Sequence, residues 1–339
     1  MAINLIRYST ADGIPRWGVV QADMILPLPG EYASAAEVIH EGSQAARSLL
    51  ADSGNSGIPL AGVTILNPLP GARVHCQGAN YAAHIKESGM DPDRPYNLLF
   101  TKSTGSLSGA NDDIVTPRNV RLLDYEIELG IVLGRPITGP ITVSDDDLED
   151  YVAAFVVAND VSARDIQLPQ GQFYKGKSYR TFCPVGPYLC VPDYDEFGRW
   201  RDLRLTLTVN GEVRQQALAG EMVFTPAQTL TEFSQLENFA IGDLLLTGTP
   251  GGVAIQPPRA FVQRIAGLLP ESVKWDLFIK NQAGNPRYLK PGDQVVATIR
   301  TDDEKPRPRH PTQLGTRVVS TPTSTNGIDN VSQIMEDKK

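Results

Sequence analysis

The chain is poor in the residues that build covalent or thiolate scaffolds. Only three of its 339 residues are cysteines, Cys76, Cys183 and Cys190, and no two of them form a CxxC pair. This argues against a disulfide framework and a zinc–thiolate site, and leaves the three as reduced core residues of a cytoplasmic protein. Histidine is scarce too: His40, His75, His84 and His310 are the full set. No run of about 18 apolar residues occurs, so no membrane-spanning helix is expected. The first residues, Met-Ala-Ile-Asn-Leu-Ile-Arg-Tyr, lack the apolar core of a signal peptide. Basic clusters are missing as well. With a net charge of −8 and a pI near 5.1, the chain offers no face for nucleic acid.

What the chain does have is an alternating acidic strand. Residues 123–133 read Leu-Asp-Tyr-Glu-Ile-Glu-Leu-Gly-Ile-Val-Leu. With period two, the odd positions are all apolar and the even ones carry Asp124, Glu126 and Glu128. Glu126 and Glu128 then project from one side, about 7 Å apart along the strand. Like charges that close must face bulk water or share a cation. The plain alternative is a half-exposed strand with an acidic solvent face.

A second segment shifts the balance. Residues 151–160, Tyr-Val-Ala-Ala-Phe-Val-Val-Ala-Asn-Asp, form an apolar run typical of a strand buried on both faces, and it ends in Asp160. A carboxylate there is costly unless paired, hydrogen-bonded or bound to metal. Arg164 is one candidate partner. The other reading gathers Glu126, Glu128 and Asp160 on one divalent ion. With no Cys/His cluster nearby, that is a hard oxygen site suited to Mg²⁺, Mn²⁺ or Ca²⁺.

A chain of 339 residues suffices for a large core and two domains. Residues 1–68 read as a small N-terminal unit, with strands near 3–8 and 16–20 and a helix near 34–50. Residues 69–312 read as the main domain. In it a short strand from Val74 leads into a helical turn carrying His84 and Glu87, and the Gly/Asp/Pro-rich stretch 88–97 suggests a mobile loop. Ser144 and the acids after it suggest a helix start. Asn210-Gly211 predicts a type I′ hairpin between residues 204–209 and 212–216. Residues 244–253 read as a buried strand ending in a Gly-rich loop. Residues 256–288 have helical periodicity around Phe261, Ile265, Leu268, Trp275 and Phe278, and strand resumes at 291–299. Residues 313–339 are expected as an extended or disordered tail.

One motif misleads. Gly171-Gln-Phe-Tyr-Lys-Gly-Lys-Ser178 fits the G-x-x-x-x-G-K-[ST] pattern of a phosphate loop, but a true one follows a buried strand and opens a helix. Here a polar segment precedes it and Pro184, Gly186 and Pro187 follow. Lys177 remains of interest as an ammonium facing a substrate carboxylate, against the plain reading of a surface lysine.

Several stretches in register resemble the fumarylacetoacetate hydrolase family. They are Gly78-Ala-Asn-Tyr-Ala-Ala-His-Ile-Lys-Glu87, Phe100-Thr-Lys102, Asp124-Tyr-Glu-Ile-Glu-Leu129, Asn159-Asp-Val-Ser-Ala-Arg-Asp165, Gly176-Lys-Ser178, Pro184-Val-Gly-Pro187, Val209-Asn-Gly-Glu212 and Thr247-Gly-Thr-Pro-Gly251. The resemblance implies a β-rich α+β fold: a mixed β-roll or β-sandwich catalytic domain, a small N-terminal α+β domain, and a homodimer. It places metal ligands at Glu126, Glu128 and Asp160, and an acid–base dyad at His84 and Glu87, which at i, i+3 share one helical face. It places substrate contacts at Arg164, Gln167, Lys177 and Thr249, with Lys102 a further candidate for the cavity wall. Lys177 and Thr249 would hold a carboxylate, and Arg164 and Gln167 would steady an oxyanion.

The implied activity is metal-dependent hydrolysis of a carbon–carbon bond in a β-diketo acid of acylpyruvate, fumarylpyruvate or fumarylacetoacetate type, in aromatic catabolism. A decarboxylase of oxaloacetate type, an isomerase or a dehydratase would use the same site. A structural Ca²⁺ in a non-catalytic interaction protein is the remote alternative. The segment 256–288 departs from compact members of the family, as does the Pro/Arg-rich stretch 302–311.

Overall fold

The computed structural model describes residues 2–52, 54, 56–91, 93–256, 269–302 and 313–320. Its architecture is strand-rich α+β. The strand Ile127–Leu133 lies inside a 13-stranded sheet, antiparallel to Val152–Asn159 on one side and to Leu244–Leu246 on the other. Its odd residues Ile127, Leu129, Ile131 and Leu133 enter one apolar core, and Val132 enters a second on the opposite face. The solvent-facing alternative is therefore excluded: Glu126 is 4% exposed and Glu128 2%.

A five-stranded sheet runs in the order Glu212–Leu218, Arg204–Val209, Gln294–Arg300, Gln313–Ser320, Ile114–Thr116. Leu205, Leu207, Val295 and Ala297 from it share a core with Ile127, Leu129 and Ile131, so the two sheets pack face to face. The hairpin forms as expected, with Asn210 and Gly211 both at positive φ, 52° and 81°.

Other expectations need adjusting. The described strands of the unit 1–68 belong to the large sheet, in which Ile3–Ser9 pairs with Tyr188–Val191. Residues 313–320 are extended, as expected, and pair as a strand between Gln294–Arg300 and Ile114–Thr116. Ser144 caps only a turn: its hydroxyl meets Asp147, and a single 3₁₀ turn, Leu148–Asp150, follows. The stretch 88–97 is fastened by the 6% exposed Arg94, which donates to Gly78 O at 3.1 Å and Ala79 O at 2.6 Å. Within 256–288 a helix, Glu271–Gln282, carries Trp275 and Phe278 in edge contact. Phe261, Ile265 and Leu268, and the tail past residue 320, lie outside the described residues. Cys76 and Cys183 are buried and Cys190 is half-buried, and none of the three is in a disulfide. No helix among the described residues is long and apolar enough to cross a membrane.

Candidate metal centre

The regular strand starts at Ile127. Just before it, the Glu126 amide donates to Asn159 Oδ1 at 2.9 Å, and the Glu126 carbonyl accepts from Asp160 N at 2.8 Å. These bonds turn the end of Val152–Asn159 toward the acidic face. Ligand oxygens of Glu126, Glu128 and Asp160 then lie within 4.8 Å of one another, all buried.

Such crowding requires cations, and three are present. Lys177 reaches Glu126 Oε2 at 2.8 Å and also bonds Asp160 Oδ2. Lys102 bonds Asp160 Oδ1 at 2.5 Å and Phe182 O at 3.0 Å. Arg164 gives Nε to Asp124 at 2.8 Å, Nη1 to Gln167 at 2.9 Å, and Nη2 to Glu126. The proposed pairing of Asp160 with Arg164 is thus corrected. The guanidinium fork sits over Asp124 and Glu126, and the two lysines take Asp160.

Lys177 is not a surface residue, at 3% exposure. The false phosphate loop instead contains the short helix Phe173–Lys177, which aims its ammonium inward. Gly176 permits this approach, since a Cβ there would lie 2.7 Å from Gln167 Cβ.

The charges do not balance. Asp124, Glu126, Glu128 and Asp160 are four buried carboxylates, while Lys102, Lys177 and Arg164 are three buried cations. Glu128 is the acid with no ion pair among the described residues; it accepts from Gly248 N at 2.7 Å. Burial, with Asp160 and Glu126 beside it, pushes its pKa well above the carboxylate range. For Glu126, burial pushes the same way, but Lys177 and Arg164 prevail and hold it below that range. Three clustered oxygen donors with one uncompensated carboxylate fit a hard divalent cation. Glu126, Glu128 and Asp160 would hold it.

His84 is 6% exposed on the six-residue helix Ala82–Glu87. Burial lowers its pKa to about 4, against the pull of the nearby Glu126 carboxylate. The imidazole is therefore neutral near pH 7, and its Nδ1 has no hydrogen-bond partner. Glu87 is exposed and points elsewhere: its Oε2 accepts from Gly252 N at 2.7 Å. The shared helical face does not produce a His84–Glu87 hydrogen bond here, because the Gly-rich loop offers the carboxylate an amide of its own. Thr249 is 1% exposed, with its hydroxyl donating to Ile127 O at 2.9 Å.

Sequence reading missed Gln215. It is 1% exposed and accepts from Ile127 N at 3.0 Å through Oε1. Its Nε2 donates to Thr249 Oγ1 at 2.8 Å and Pro250 O at 2.9 Å. One side chain from the second sheet thus joins the acidic strand to the Gly-rich loop. Its only local signal is a polar residue at the buried register of Ala217. Asn80, fully buried, was missed too; it accepts from Phe224 N and donates to Thr247 O at 2.8 Å.

A strand-rich sandwich with a buried oxygen-donor centre at the sheet end defines a class of metal-site protein. Residues 73–319 match the fumarylacetoacetate (FAA) hydrolase C-terminal domain, and the chain belongs to that family. It is 37% identical over 242 residues to a 2,4-didehydro-3-deoxy-L-rhamnonate hydrolase of Sphingomonas, covering 70% of this chain and 79% of that one. It is 36% identical over 212 residues to a human mitochondrial oxaloacetate tautomerase, covering 61% and 65%. Among solved structures, a probable 2-hydroxyhepta-2,4-diene-1,7-dioate isomerase from Mycobacterium abscessus superposes with a TM-score of 0.68 at 29% identity, covering 94% of this chain and 100% of that one.

Proposed function

We propose that the protein is a hydrolase dependent on Mg²⁺ or Mn²⁺ that cleaves a carbon–carbon bond in a β-diketo acid of acylpyruvate type. The observation that carries this reading is the buried carboxylate excess, with Glu128 left without a cation beside Glu126 and Asp160. Glu126, Glu128 and Asp160 would hold the ion, which would supply Lewis-acid chemistry to the substrate's keto oxygens. His84, neutral and with Nδ1 unpartnered, takes a proton from the attacking water. Glu87 shares its helix, with its carboxylate turned to the Gly252 amide, so the dyad role would require it to swing toward His84. Lys177 has three N–H donors and uses two on Glu126 and Asp160, which leaves one for a substrate carboxylate. Arg164, with Gln167 on its Nη1, holds Glu126 in place. Thr249 and Lys102 form the wall of the site. A homodimer goes with this reading, and light scattering on the purified chain checks it.

A second reading, keto–enol tautomerisation of a 2-keto acid, has specific support. His84 and Glu87 are not hydrogen-bonded, and a lone neutral imidazole suffices to move one proton without an oriented water. The rhamnonate-type relative supports hydrolysis, and the oxaloacetate relative supports tautomerisation.

Metal-stripped protein tested with acetylpyruvate, fumarylpyruvate and oxaloacetate, with and without Mg²⁺ or Mn²⁺, separates these readings. Pyruvate plus a carboxylic acid, formed only with metal, is the expected result. Enol–keto exchange or decarboxylation of oxaloacetate without cleavage of either acylpyruvate would sink the hydrolase reading.

A further inference from the structure

The segment after the Gly-rich loop returns to hold it. Three side chains donate to alternate carbonyls of that loop. Arg287 Nη2 reaches Gly252 O at 2.5 Å, Asn285 Nδ2 reaches Ala254 O at 2.8 Å, and Gln282 Nε2 reaches Gln256 O at 2.9 Å. The loop amides face carboxylates instead. Gly252 N donates to Glu87 at 2.7 Å, and Ala254 N and Ile255 N donate to Asp124 at 2.8 and 3.1 Å. An irregular stretch must satisfy its backbone polar groups somehow. This one does so almost entirely with side chains, from three separate parts of the chain.

Both carboxylates lead into the site. Asp124 holds Arg164, which holds Glu126. Glu87 lies one helical turn from His84. Gly252 is the fixed point between them. Its φ is +102°, and a Cβ there would lie 2.0 Å from Arg214 O, so only glycine fits.

We infer that Arg287, Asn285 and Gln282 are positioning residues for the reaction. They set the loop 252–256, and through it the places of Glu87 and Asp124 relative to His84 and Glu126. The inference rests on the acid–base and metal roles proposed above. It gives the segment 256–288 a task within the site: its far end is a clamp on the loop. Tyr125 Oη also donates to Gly252 O, at 3.2 Å, so loss of Arg287 loosens the clamp without removing it.

The test uses the full chain with Arg287→Met and Arg287→Lys. Hydrogen exchange of the Gly252 amide is read by mass spectrometry of short peptides or by NMR. In Arg287→Met that amide exchanges about tenfold faster and kcat on the best substrate of the panel falls about tenfold, with Mg²⁺ affinity and KM within about twofold of the parent. Arg287→Lys, which keeps one donor, restores most of both. Unchanged exchange in Arg287→Met removes the clamp. Faster exchange with unchanged kcat removes the positioning role. If Arg287→Met does not fold, Asn285→Ala is read in the same way at the Ala254 amide. The exchange measurement needs no substrate, so it decides the clamp even if the hydrolase reading fails on the panel.

Discussion

The strands Leu244–Leu246 and Val74–Gly78 run parallel, and charged residues gather at both ends of the pair. At the start, Arg73 bonds Asp243 at 2.5 Å and lies 3.7 Å from Glu237, with its side chain 45% exposed. The same guanidinium also donates to Asn238 O at 2.8 Å, and Asp243 accepts from Ala240 N at 2.7 Å. This is a ledge of ion pairs touching water, and it ties the strand start to the loop beside it. At the other end the charged residues are buried, each 4% exposed or less, and acids outnumber bases. Stability requires only the first arrangement. The second makes folding harder, and its carboxylate triad is consistent with a divalent-cation site of the family.

The largest effect expected from this contrast comes from Asp160→Ala. It leaves Lys102 buried with no carboxylate partner, takes one of the two carboxylates from Lys177, and should cost about 3–5 kcal/mol. Urea unfolding of metal-free protein measures this, and turnover should vanish with it. Next is metal linkage. Mg²⁺ at about a hundred times its dissociation constant should stabilise the parent by about 2.7 kcal/mol. Glu128→Gln should abolish that gain in a thermal melt, yet leave the metal-free chain as stable as the parent or about 1 kcal/mol more so, since it removes an unpaired acid. A lower metal-free stability would show that Glu128 supports the fold after all.

At the opposite end Asp243→Asn should cost about 1 kcal/mol, because its Arg73 partner is half exposed, and should leave turnover within about twofold. The smallest effect is on pH dependence. Burial pushes the Asp243 pKa up, but the His75 and Arg73 side chains beside it and the Ala240 amide outweigh that and hold it below the usual range. A depressed carboxylate contributes stability above its unfolded value, near pH 4, and loses it as pH falls through the folded value. Acid unfolding of the parent should therefore contain a component that Asp243→Asn lacks.

The two ends also differ in how far the sequence discloses them. Asp160 is legible because it ends an apolar run that predicts burial, and Glu126 and Glu128 because they share one side of an alternating strand. The Asn210-Gly211 hairpin is legible because both residues tolerate positive φ. Partners are harder to read. Lys102 and Lys177 come from segments 58 and 17 residues from Asp160, and no local pattern says that two ammoniums rather than Arg164 will meet it. Gln215 is 88 residues from Ile127, on a strand of the other sheet. The i, i+3 spacing of His84 and Glu87 specifies a shared face but says nothing of the Gly252 amide 165 residues on, which takes the Glu87 carboxylate. The 3₁₀ turn after Ser144 replaces a helix because Gly134 N and Tyr151 O already bond, drawing the chain back to the sheet.

The late strand Gln313–Ser320 has a consequence for biosynthesis. It is the bridge between Gln294–Arg300 and Ile114–Thr116, and Val318 is fully buried in the core between the sheets. The stretch around Ile114 leaves the ribosome roughly 200 residues ahead of its neighbour, so at about 5–20 residues per second it waits on the order of ten to forty seconds with an unpaired edge. During that interval the nascent chain presents an open seam to every other nascent chain nearby, and a stall or early stop before residue 313 would leave the seam unclosed.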